Sequence, residues 1–454
     1  MERKAAKFLQ DWLNSEERKP IVLRGARQVG KTWLVRQLAA SSGKTLIELN
    51  FEKNPRSATL FSSNDPKEIL SRLNAALNIE IVATQSLLFL DEIQAVPELF
   101  AKLRWFAEDM PELPVVAAGS LLEFLLHEHD FSVPVGRIQY MHLEPLSFEE
   151  FLLARDKVQL HSFLSTYTLP NEIPAEIHSQ VLSLFKEYVF IGGMPAAVVN
   201  WVKHSSLPKV NQIHHDLLAT YRDDFAKYSG RLPKDRLEDV LLATPRLLGQ
   251  KFVFSHVNPQ AHPDSIKRAV ILLNQARVCH SVISCAANGI PLGAETKEKF
   301  FKEIFIDTGL CCSSLGLSFD SLIEVEDITL INSGAIAEQV VGQMLRTIHP
   351  FYIEPTLFYW HRDEKTSKAE LDYVIQHQNK VIPIEVKAGA SGKMKSLQLF
   401  MELKSYKLGV RICSASPTLE KRDFSLLTIP FYLCGQLHRL IKNTIALEKH
   451  GTHL

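Results

Sequence analysis

The stretch "GARQVGKT", from Gly25 to Thr32, fits the pattern G-x-x-x-x-G-K-[ST] at every fixed position. The apolar segment "PIVLRG" before it predicts a strand, and the pattern from about Lys31 onward predicts an amphipathic helix. Glycines let the backbone curl so that its N–H groups point inward, and the following helix adds the positive end of its dipole. The stretch therefore predicts an anion-binding loop between a buried strand and a helix.

All residues of this loop are candidate ligands for a nucleotide. Lys31 is expected to reach the β- and γ-phosphates of ATP, and the Thr32 hydroxyl is expected to bind Mg²⁺. The alternative is a glycine-bearing turn that matches the pattern by chance. The candidate nucleotide-binding residues are Gly25, Ala26, Arg27, Gln28, Val29, Gly30, Lys31 and Thr32.

The stretch "LLFLDE", residues 87–92, supplies the second half of a nucleotide site. Its apolar residues predict a buried strand, and Asp91 follows at the carboxyl end, where open α/β sheets bind ligands. Asp91 is expected to hold Mg²⁺ through water, and Glu92 to polarise the attacking water as a general base. A helix N-cap on a solvated face is the alternative for these adjacent acids.

Two further residues are candidates for the same site. Ser120 ends the strand-like run "PVVAAGS" and is expected to sense or orient the γ-phosphate; a helix N-cap is the alternative. Arg137, in "VGRIQY", is a candidate arginine finger, offered within the chain or to a neighbouring subunit. A surface salt bridge is the alternative for Arg137.

Residues 20 to about 155 alternate short apolar strands with helical patterns, which predicts a parallel sheet with helices on both faces. The fold class is therefore α/β of the P-loop NTPase type. We expect a nucleotide-binding core over residues 1–155 and a helical lid or linker over 156–230. Helices followed by a hairpin predict a winged helix over 231–320, and renewed alternation predicts a small α/β domain over 330–454.

The composition excludes several classes of protein. The chain of 454 residues has 51 Lys and Arg against 51 Asp and Glu, so any affinity for nucleic acid must come from a local patch. No apolar run approaches the ~20 residues that span a bilayer. We therefore expect no membrane partner. The six cysteines contain no CxxC pair, which favours reduced thiols and a cytoplasmic protein.

Several motifs in order along the chain resemble those of bacterial and archaeal AAA-type ATPases that carry a C-terminal restriction-endonuclease-like domain. The motifs are "LRGARQVGKT", "LFLDEIQ", "AAGS", "EPLSFEEF", "GGMP" and "DTGL". The resemblance implies ATP binding and hydrolysis, with no assigned substrate. Ala26 stands where that family commonly has proline, which is a sterically mild departure.

The stretch "IPIEVKAG", from Ile382, places Glu385 and Lys387 on one face of a strand. If "HQNK" joins this strand to "ELDYVI" as a tight hairpin, Asp372 lies opposite Glu385 and Glu370 lies opposite Lys387. The second pair reads as an ordinary salt bridge. The first pair sets the Cβ atoms of two acidic residues about 5 Å apart, which predicts a divalent cation such as Mg²⁺ between their carboxylates.

The same residues resemble the PD-(D/E)XK nucleases. That resemblance implies that Asp372 and Glu385 bind metal, and that Lys387 stabilises charge at the scissile phosphate or activates water. It further implies a glutamate from a preceding helix, for which Glu338 is the candidate. A solvated hairpin face with alternating charges is the alternative.

Together these patterns predict a Mg²⁺-dependent ATPase coupled to the binding or processing of nucleic acid, with DNA as the expected partner. The other hypothesis is an ATP-switched regulatory or assembly protein, whose C-terminal domain docks a protein partner without cleaving DNA. A homo-oligomer is expected only if Arg137 acts across subunits.

Overall fold

The computed structural model describes residues 2–449 except for 121, 123, 125–133, 135, 229, 231, 318–333, 363–368 and 388–393. Its N-terminal part alternates strands and helices as the sequence predicts. The strands are β1 (Ile21–Arg24), β2 (Thr45–Asn50), β3 (Ser86–Asp91), β4 (Val115–Ala118) and β5 (Gln139–His142). The helices are α1 (Lys4–Leu13), α2 (Lys31–Ser42), α3 (Pro66–Leu77) and α4 (Glu98–Asp109).

Within the described residues these five strands form one sheet in the order β2-β3-β4-β1-β5, and all of its pairs are parallel. Leu87 and Phe89 pack into one hydrophobic core, whereas Leu88 and Leu90 pack into another on the opposite face. The sheet is therefore buried on both faces, and the predicted α/β class is confirmed. The carboxyl ends of all its strands lie at one edge.

A helical segment follows the sheet. The helix after β5 begins with a reciprocal cap, in which Ser147 and Glu150 each accept a backbone N–H of the other. The helices are α5 (Phe148–Ala154), α6 (Val158–Thr166), α7 (Ala175–Ile191), α8 (Pro195–His204) and α9 (Leu207–Tyr228). In the described ranges, every helix is too short or too polar to cross a bilayer.

The rest of the chain is built on a second sheet. Its described strands lie in the order β12-β13-β11-β10-β9-β8-β6-β7 and combine parallel with antiparallel pairs. They are β6 (Cys279–Cys285), β7 (Thr296–Phe305), β8 (Leu357–His361), β9 (Glu370–His377), β10 (Lys380–Val386), β11 (Leu408–Cys413), β12 (Thr418–Lys421) and β13 (Ser425–Pro430). The helices are α10 (Lys234–Ala243), α11 (Phe254–Val257), α12 (Pro263–Gln275), α13 (Thr308–Ser314), α14 (Ala335–Arg346), α15 (Lys395–Lys404) and α16 (Leu437–Lys449).

The hairpin expected for a winged helix is present as β6 and β7, after helices α10 to α12. However, β6 also pairs in parallel with β8, Val282 lying beside Leu357. The hairpin is thus one edge of the second sheet. One continuous sheet therefore joins the segment predicted over 231–320 to the one predicted over 330–454.

The motifs "GGMP" and "DTGL" meet at the buried carboxylate of Asp307. This carboxylate accepts the backbone N–H of Gly193 at 2.6 Å, the N–H of Leu310 at 3.1 Å and the side-chain amide of Gln343 at 3.2 Å. Gly193 in turn accepts the N–H of Leu146 through its carbonyl at 2.7 Å. Asp307 therefore connects the first sheet, the helical segment and the second sheet.

We expect Gly193→Ala to destabilise the protein because this junction has no room for a side chain. A Cβ atom on Gly193 would lie 2.2 Å from the carbonyl oxygen of Leu146, which is backbone and cannot turn away. The cost should be about 3 kcal/mol, seen as a drop of several degrees in the thermal midpoint. Gly289→Ala is the control, since a Cβ there meets nothing within 4 Å. Equal midpoints for both variants would contradict the account.

Candidate functional site

The predicted anion-binding loop connects β1 to α2 at the carboxyl edge of the first sheet. Gly30 has φ 97°, a left-handed conformation that glycine adopts without strain. A Cβ on Gly25 would lie 2.4 Å from the carbonyl oxygen of Leu143, so this glycine is required by close backbone approach. Both fixed glycines of the pattern therefore have a steric reason.

Lys31 lies at the mouth of the loop. Its ammonium donates to the carbonyl oxygens of Gly25 and Ala26, each at 2.8 Å. Burial lowers the pKa of Lys31 to about 8, while the nearby Glu92 and Asp91 carboxylates act in the opposite direction. The phosphates of a nucleotide would favour the charged ammonium and could replace the two loop carbonyls as acceptors.

Thr32 and Asp91 are brought together as predicted. The Thr32 hydroxyl donates to Asp91 Oδ2 at 3.2 Å, and the amide of Asn50 donates to the same oxygen at 3.1 Å. Burial raises the pKa of Asp91, and the neighbouring Glu92 carboxylate has a smaller effect in the same direction. A hydroxyl and a carboxylate side by side are hard oxygen ligands, so these two residues fit Mg²⁺ with waters completing its shell.

Glu92 and Ser120 also meet. The Glu92 carboxylate accepts the backbone N–H of Ser120 at 3.4 Å, its hydroxyl at 3.3 Å, and the side-chain amide of Gln94 at 2.6 Å. The residue itself has φ 52°. Gln94 is a site residue that the sequence analysis missed. Its position in "LFLDEIQ" makes it part of a motif, but sequence position alone does not predict the direction of its side chain.

Arg137 lies in the surface ion pair that the sequence left open as its alternative. Its Nε atom is 2.6 Å from Glu108 Oε1, and half of its side chain is exposed. Arg104, on the same helix, shares that carboxylate at 3.0 Å. Within this chain Arg137 thus packs against the exposed side of α4 through Glu108. A role of Arg137 toward a second subunit stays a prediction.

The helix α9 contacts the loop through Arg27. The Arg27 guanidinium lies 3.0 Å from Asp224 Oδ1, and the Tyr221 hydroxyl donates to the Arg27 carbonyl oxygen at 3.1 Å. Glu52, which follows β2, lies 3.5 Å from the same guanidinium. The sequence placed Arg27 in the loop but gave no sign of its partners, which are remote in sequence.

The second candidate site lies on β9 and β10. The observed pairs, such as Tyr373 with Ile384, have the predicted register, which sets Asp372 opposite Glu385. Asp372 accepts the backbone N–H of Val386 at 2.7 Å. Burial, together with the Asp372 charge, raises the pKa of Glu385 to about 7, and Lys387 lies 2.9 Å from that carboxylate.

Glu338, from α14, belongs to the same cluster. Burial, followed by repulsion from Asp372, raises its pKa to about 7. Its carboxylate is 3.2 Å from the ammonium of Lys302, whose side chain is 4% exposed. Lys302 comes from β7, a strand that the sequence assigned to a different domain, and it is a second residue that the sequence analysis missed.

The predicted salt bridge between Glu370 and Lys387 is wrong. Glu370 pairs with Lys302 at 2.5 Å, and Lys387 pairs with Glu385. The physical reason is that β7 brings a buried ammonium to this cluster, where it also lies 5.3 Å from the Tyr359 ring. An ammonium held between two carboxylates and an aromatic ring is better compensated than one at the strand end.

Among the described residues, no group of three or more His, Cys, Asp or Glu side chains is arranged to hold a metal ion. Glu338 does not fit as a direct ligand, because Lys302 is bound to it. Asp372 and Glu385 do fit as a pair, since Glu385 Oε2 is buried and accepts no hydrogen bond from the residues that the structure describes. Mg²⁺ commonly binds through one or two carboxylates and keeps several waters.

Comparisons with known proteins match the part of the chain that contains the first site. A family model described as an AAA domain matches residues 17–152. Two further models match residues 182–321 (domain of unknown function DUF8612) and 333–432 (domain of unknown function DUF4143). No curated protein matches the sequence at a significant level.

Three solved structures show a distant likeness. The Walker-type ATPase of Pyrococcus abyssi is 15% identical with a TM-score of 0.43, covering 69% of this chain and 95% of its own. A signal transduction ATPase with numerous domains (STAND) and a tetratricopeptide repeat sensor, from Pyrococcus horikoshii, is 12% identical with a TM-score of 0.27, covering 77% and 46%. PCH-2 of C. elegans is 12% identical with a TM-score of 0.25, covering 43% and 59%.

Two independent findings agree on the part of the chain that contains the first sheet. Its parallel sheet carries the phosphate-loop pattern at the carboxyl edge, and the AAA family model covers the whole of that sheet. Residues 17–152 of this chain match the family model of an AAA domain.

Proposed function

We propose that the chain hydrolyses ATP in a Mg²⁺-dependent reaction at the carboxyl edge of the first sheet. The observation that carries this proposal is the convergence there of Lys31, Thr32, Asp91 and Glu92, which come from different segments. The loop N–H groups and Lys31 bind the phosphates, and Thr32 with Asp91 holds the metal. The metal, when bound, neutralises charge on the β- and γ-phosphates.

Glu92 is the general base in this proposal. The Gln94 amide and the Ser120 hydroxyl both donate to its Oε2 atom, which fixes the carboxylate and leaves its second oxygen to accept a proton from water. Ser120 then acts through Glu92, as a positioning residue. This role differs from the two alternatives of the sequence analysis, in which Ser120 contacts the γ-phosphate directly or caps the N-terminus of a helix.

In this proposal, nucleotide binding changes the conformation of residues outside the nucleotide-binding domain through Arg27. The ion pair of Arg27 with Asp224 ties the loop to α9, and α9 packs against α13, the helix that Asp307 caps. We propose that the loop conformation shifts α9 and, through it, the second sheet. The coupled element is the carboxylate cluster on β9, β10 and α14.

Lys31→Ala should weaken ATP binding by at least about tenfold, because it removes the ammonium that neutralises the phosphates. Glu92→Gln should keep ATP binding and lower phosphate release by about 10²-fold or more, because an amide cannot take the proton. The measurements are equilibrium binding of ATP and steady-state release of phosphate with Mg²⁺.

Lys53→Ala and Glu98→Gln are matched controls, since both residues are exposed. They should leave binding and turnover unchanged. Wild-type turnover by Lys31→Ala would remove the proposal. Wild-type turnover by Glu92→Gln would remove only the assignment of the base.

A second candidate function is Mg²⁺-dependent cleavage of DNA by the second sheet. It is favoured by the buried Glu385 oxygen opposite Asp372, which has no hydrogen-bond partner within the described part of the chain, and by Lys387 beside them. In this proposal Asp372 and Glu385 bind Mg²⁺, and Lys387 stabilises charge on the scissile phosphate. Glu338 does not bind the metal directly, because Lys302 holds it. If DNA is not cleaved, the domain docks a protein partner instead.

Nicking of supercoiled plasmid by the full chain should require Mg²⁺ and should rise with pH between about 6 and 8. The sign follows from the pKa of Glu385, which burial raises to about 7: below it the carboxyl is protonated, and Mg²⁺ must displace that proton. Asp372→Asn and Glu385→Gln should abolish nicking. The exposed Asp423→Asn variant is the control.

Nicking that survives Asp372→Asn and Glu385→Gln would exclude this site as its source. Wild-type protein that nicks no DNA at any pH would overturn the nuclease proposal and favour the docking hypothesis. Neither outcome bears on ATP hydrolysis, which is measured separately.

A further inference from the structure

Two side chains from outside the phosphate loop donate hydrogen bonds to carbonyl oxygens of the loop. Arg3, which precedes α1, donates through Nη1 to the Val29 carbonyl oxygen at 3.0 Å. Tyr221, on α9, donates through its hydroxyl to the Arg27 carbonyl oxygen at 3.1 Å. Both donors are buried, so water has little access to these contacts. The loop is thus held by two residues that are remote from it in sequence.

Each of these contacts fixes the direction of one peptide group. In a trans peptide the carbonyl and the N–H point in opposite directions, and the peptides of this loop are trans. Because the Val29 carbonyl points to Arg3, the N–H of Gly30 points away from that guanidinium. In the same way, the N–H of Gln28 points away from the Tyr221 hydroxyl. Two N–H groups of the loop are therefore aimed before a nucleotide binds.

The two aimed N–H groups belong to residues in the left-handed conformation. Gln28 has φ 65° and Gly30 has φ 97°. Glycine adopts this conformation without strain, whereas the Cβ atom of Gln28 makes it unfavourable there. Left-handed residues in a turn direct backbone N–H groups into a concavity that binds anions. The Tyr221 hydroxyl holds the carbonyl directly before Gln28, and thus supports the loop at its strained residue.

Arg3 is itself fixed by acceptors beyond the loop. Its Nε atom donates to Glu150 Oε1 at 3.0 Å, and its Nη2 atom donates to the Glu144 carbonyl oxygen at 2.8 Å. Glu150 Oε2 accepts the N–H of Ser147 at 2.9 Å, in the cap of α5. Each of the three guanidinium nitrogens therefore has an acceptor, in directions that the planar group sets. A lysine ammonium cannot reproduce this arrangement.

Tyr221 is fixed by its place on α9. It lies three residues before Asp224, so the two side chains lie on one side of the helix. Tyr221 binds the backbone of Arg27, and Asp224 lies 3.0 Å from the guanidinium of the same residue. Burial raises the pKa of Tyr221 above its ordinary value, so the hydroxyl keeps its proton and remains a donor.

We propose that Arg3 and Tyr221 are positioning residues for the binding of nucleotide phosphates, an inference that rests on the proposed ATP site at this loop. They hold two loop carbonyls outward, so that the N–H groups of Gln28 and Gly30 face the phosphates when a nucleotide enters. Neither side chain contacts the nucleotide. Because the loop is ordered in advance, less of the binding free energy is spent on ordering it.

Tyr221→Phe removes the hydroxyl and keeps the ring, so it isolates one of the two contacts. We expect ADP and inorganic pyrophosphate to bind the full chain about fivefold more weakly, measured by calorimetry with Mg²⁺. Phosphate release at saturating ATP should stay within about twofold of wild type, because the change affects binding and not the chemical step. Tyr167→Phe is the matched control, since the buried Tyr167 donates to the carbonyl of Asn171, outside the loop, at 2.7 Å.

Arg3→Lys tests the second contact. It keeps the positive charge beside Glu150 but replaces the planar group by a single ammonium. It should weaken binding of ADP and pyrophosphate by about tenfold, again with little change in phosphate release at saturating ATP. Arg439→Lys is the matched control, because Arg439 also donates to two backbone carbonyls, both outside the loop.

Equal ADP affinities of Tyr221→Phe and Tyr167→Phe would overturn the positioning role of Tyr221, and equal affinities of the two lysine variants would overturn that of Arg3. Saturating turnover that falls in step with affinity would also overturn the proposal, since it would indicate a general structural defect. If the wild-type chain binds neither ADP nor pyrophosphate, the proposed ATP site fails together with this inference.

Discussion

The architecture depends on one buried carboxylate. Asp307 accepts hydrogen bonds from Gly193 in the helical segment and from Gln343 on α14, while it caps α13. Burial raises its pKa to about 6, and the donors act in the opposite direction by favouring the charged form. Because each donor comes from a different part of the chain, this carboxylate fixes how the two sheets are joined. The first glycine of "GGMP" follows from it, since a side chain on Gly192 would occupy the place of the carboxylate.

The two candidate sites share one principle of construction. In each, strands set polar groups side by side, and a helix supplies one more group: α2 carries Thr32 to Asp91, and α14 carries Glu338 to the Asp372 cluster. A continuous packed route joins them, from Arg27 through α9 to α13 and on to α14. Such contact permits coupling but does not by itself demonstrate it, so transmission along this route belongs to the proposal.

The residues of the first site could be predicted from sequence because they lie in short contiguous motifs. Each motif follows a strand, and the carboxyl ends of parallel strands meet at one edge of the sheet regardless of the conformation of the connecting loops. It also predicted the register of β9 and β10, since a two-residue turn leaves little choice. It failed where contacts join remote segments. Lys302, which displaced the expected pairing of Glu370 with Lys387, comes from a strand whose sheet could not be assigned from local pattern. Gln94 escaped notice because adjacency in sequence does not fix the direction of a side chain.

The central claim is that the backbone N–H groups of residues 25–32 bind the phosphates of ATP. Hydrogen exchange of this segment, with and without Mg²⁺ and ATP, measures those groups directly. The account predicts that an ATP concentration that just saturates the wild-type protein slows exchange in its loop, and that the same concentration slows exchange less in the Lys31→Ala protein, which binds ATP more weakly. Exchange that stays equally fast in the wild-type loop at saturating ATP would contradict it.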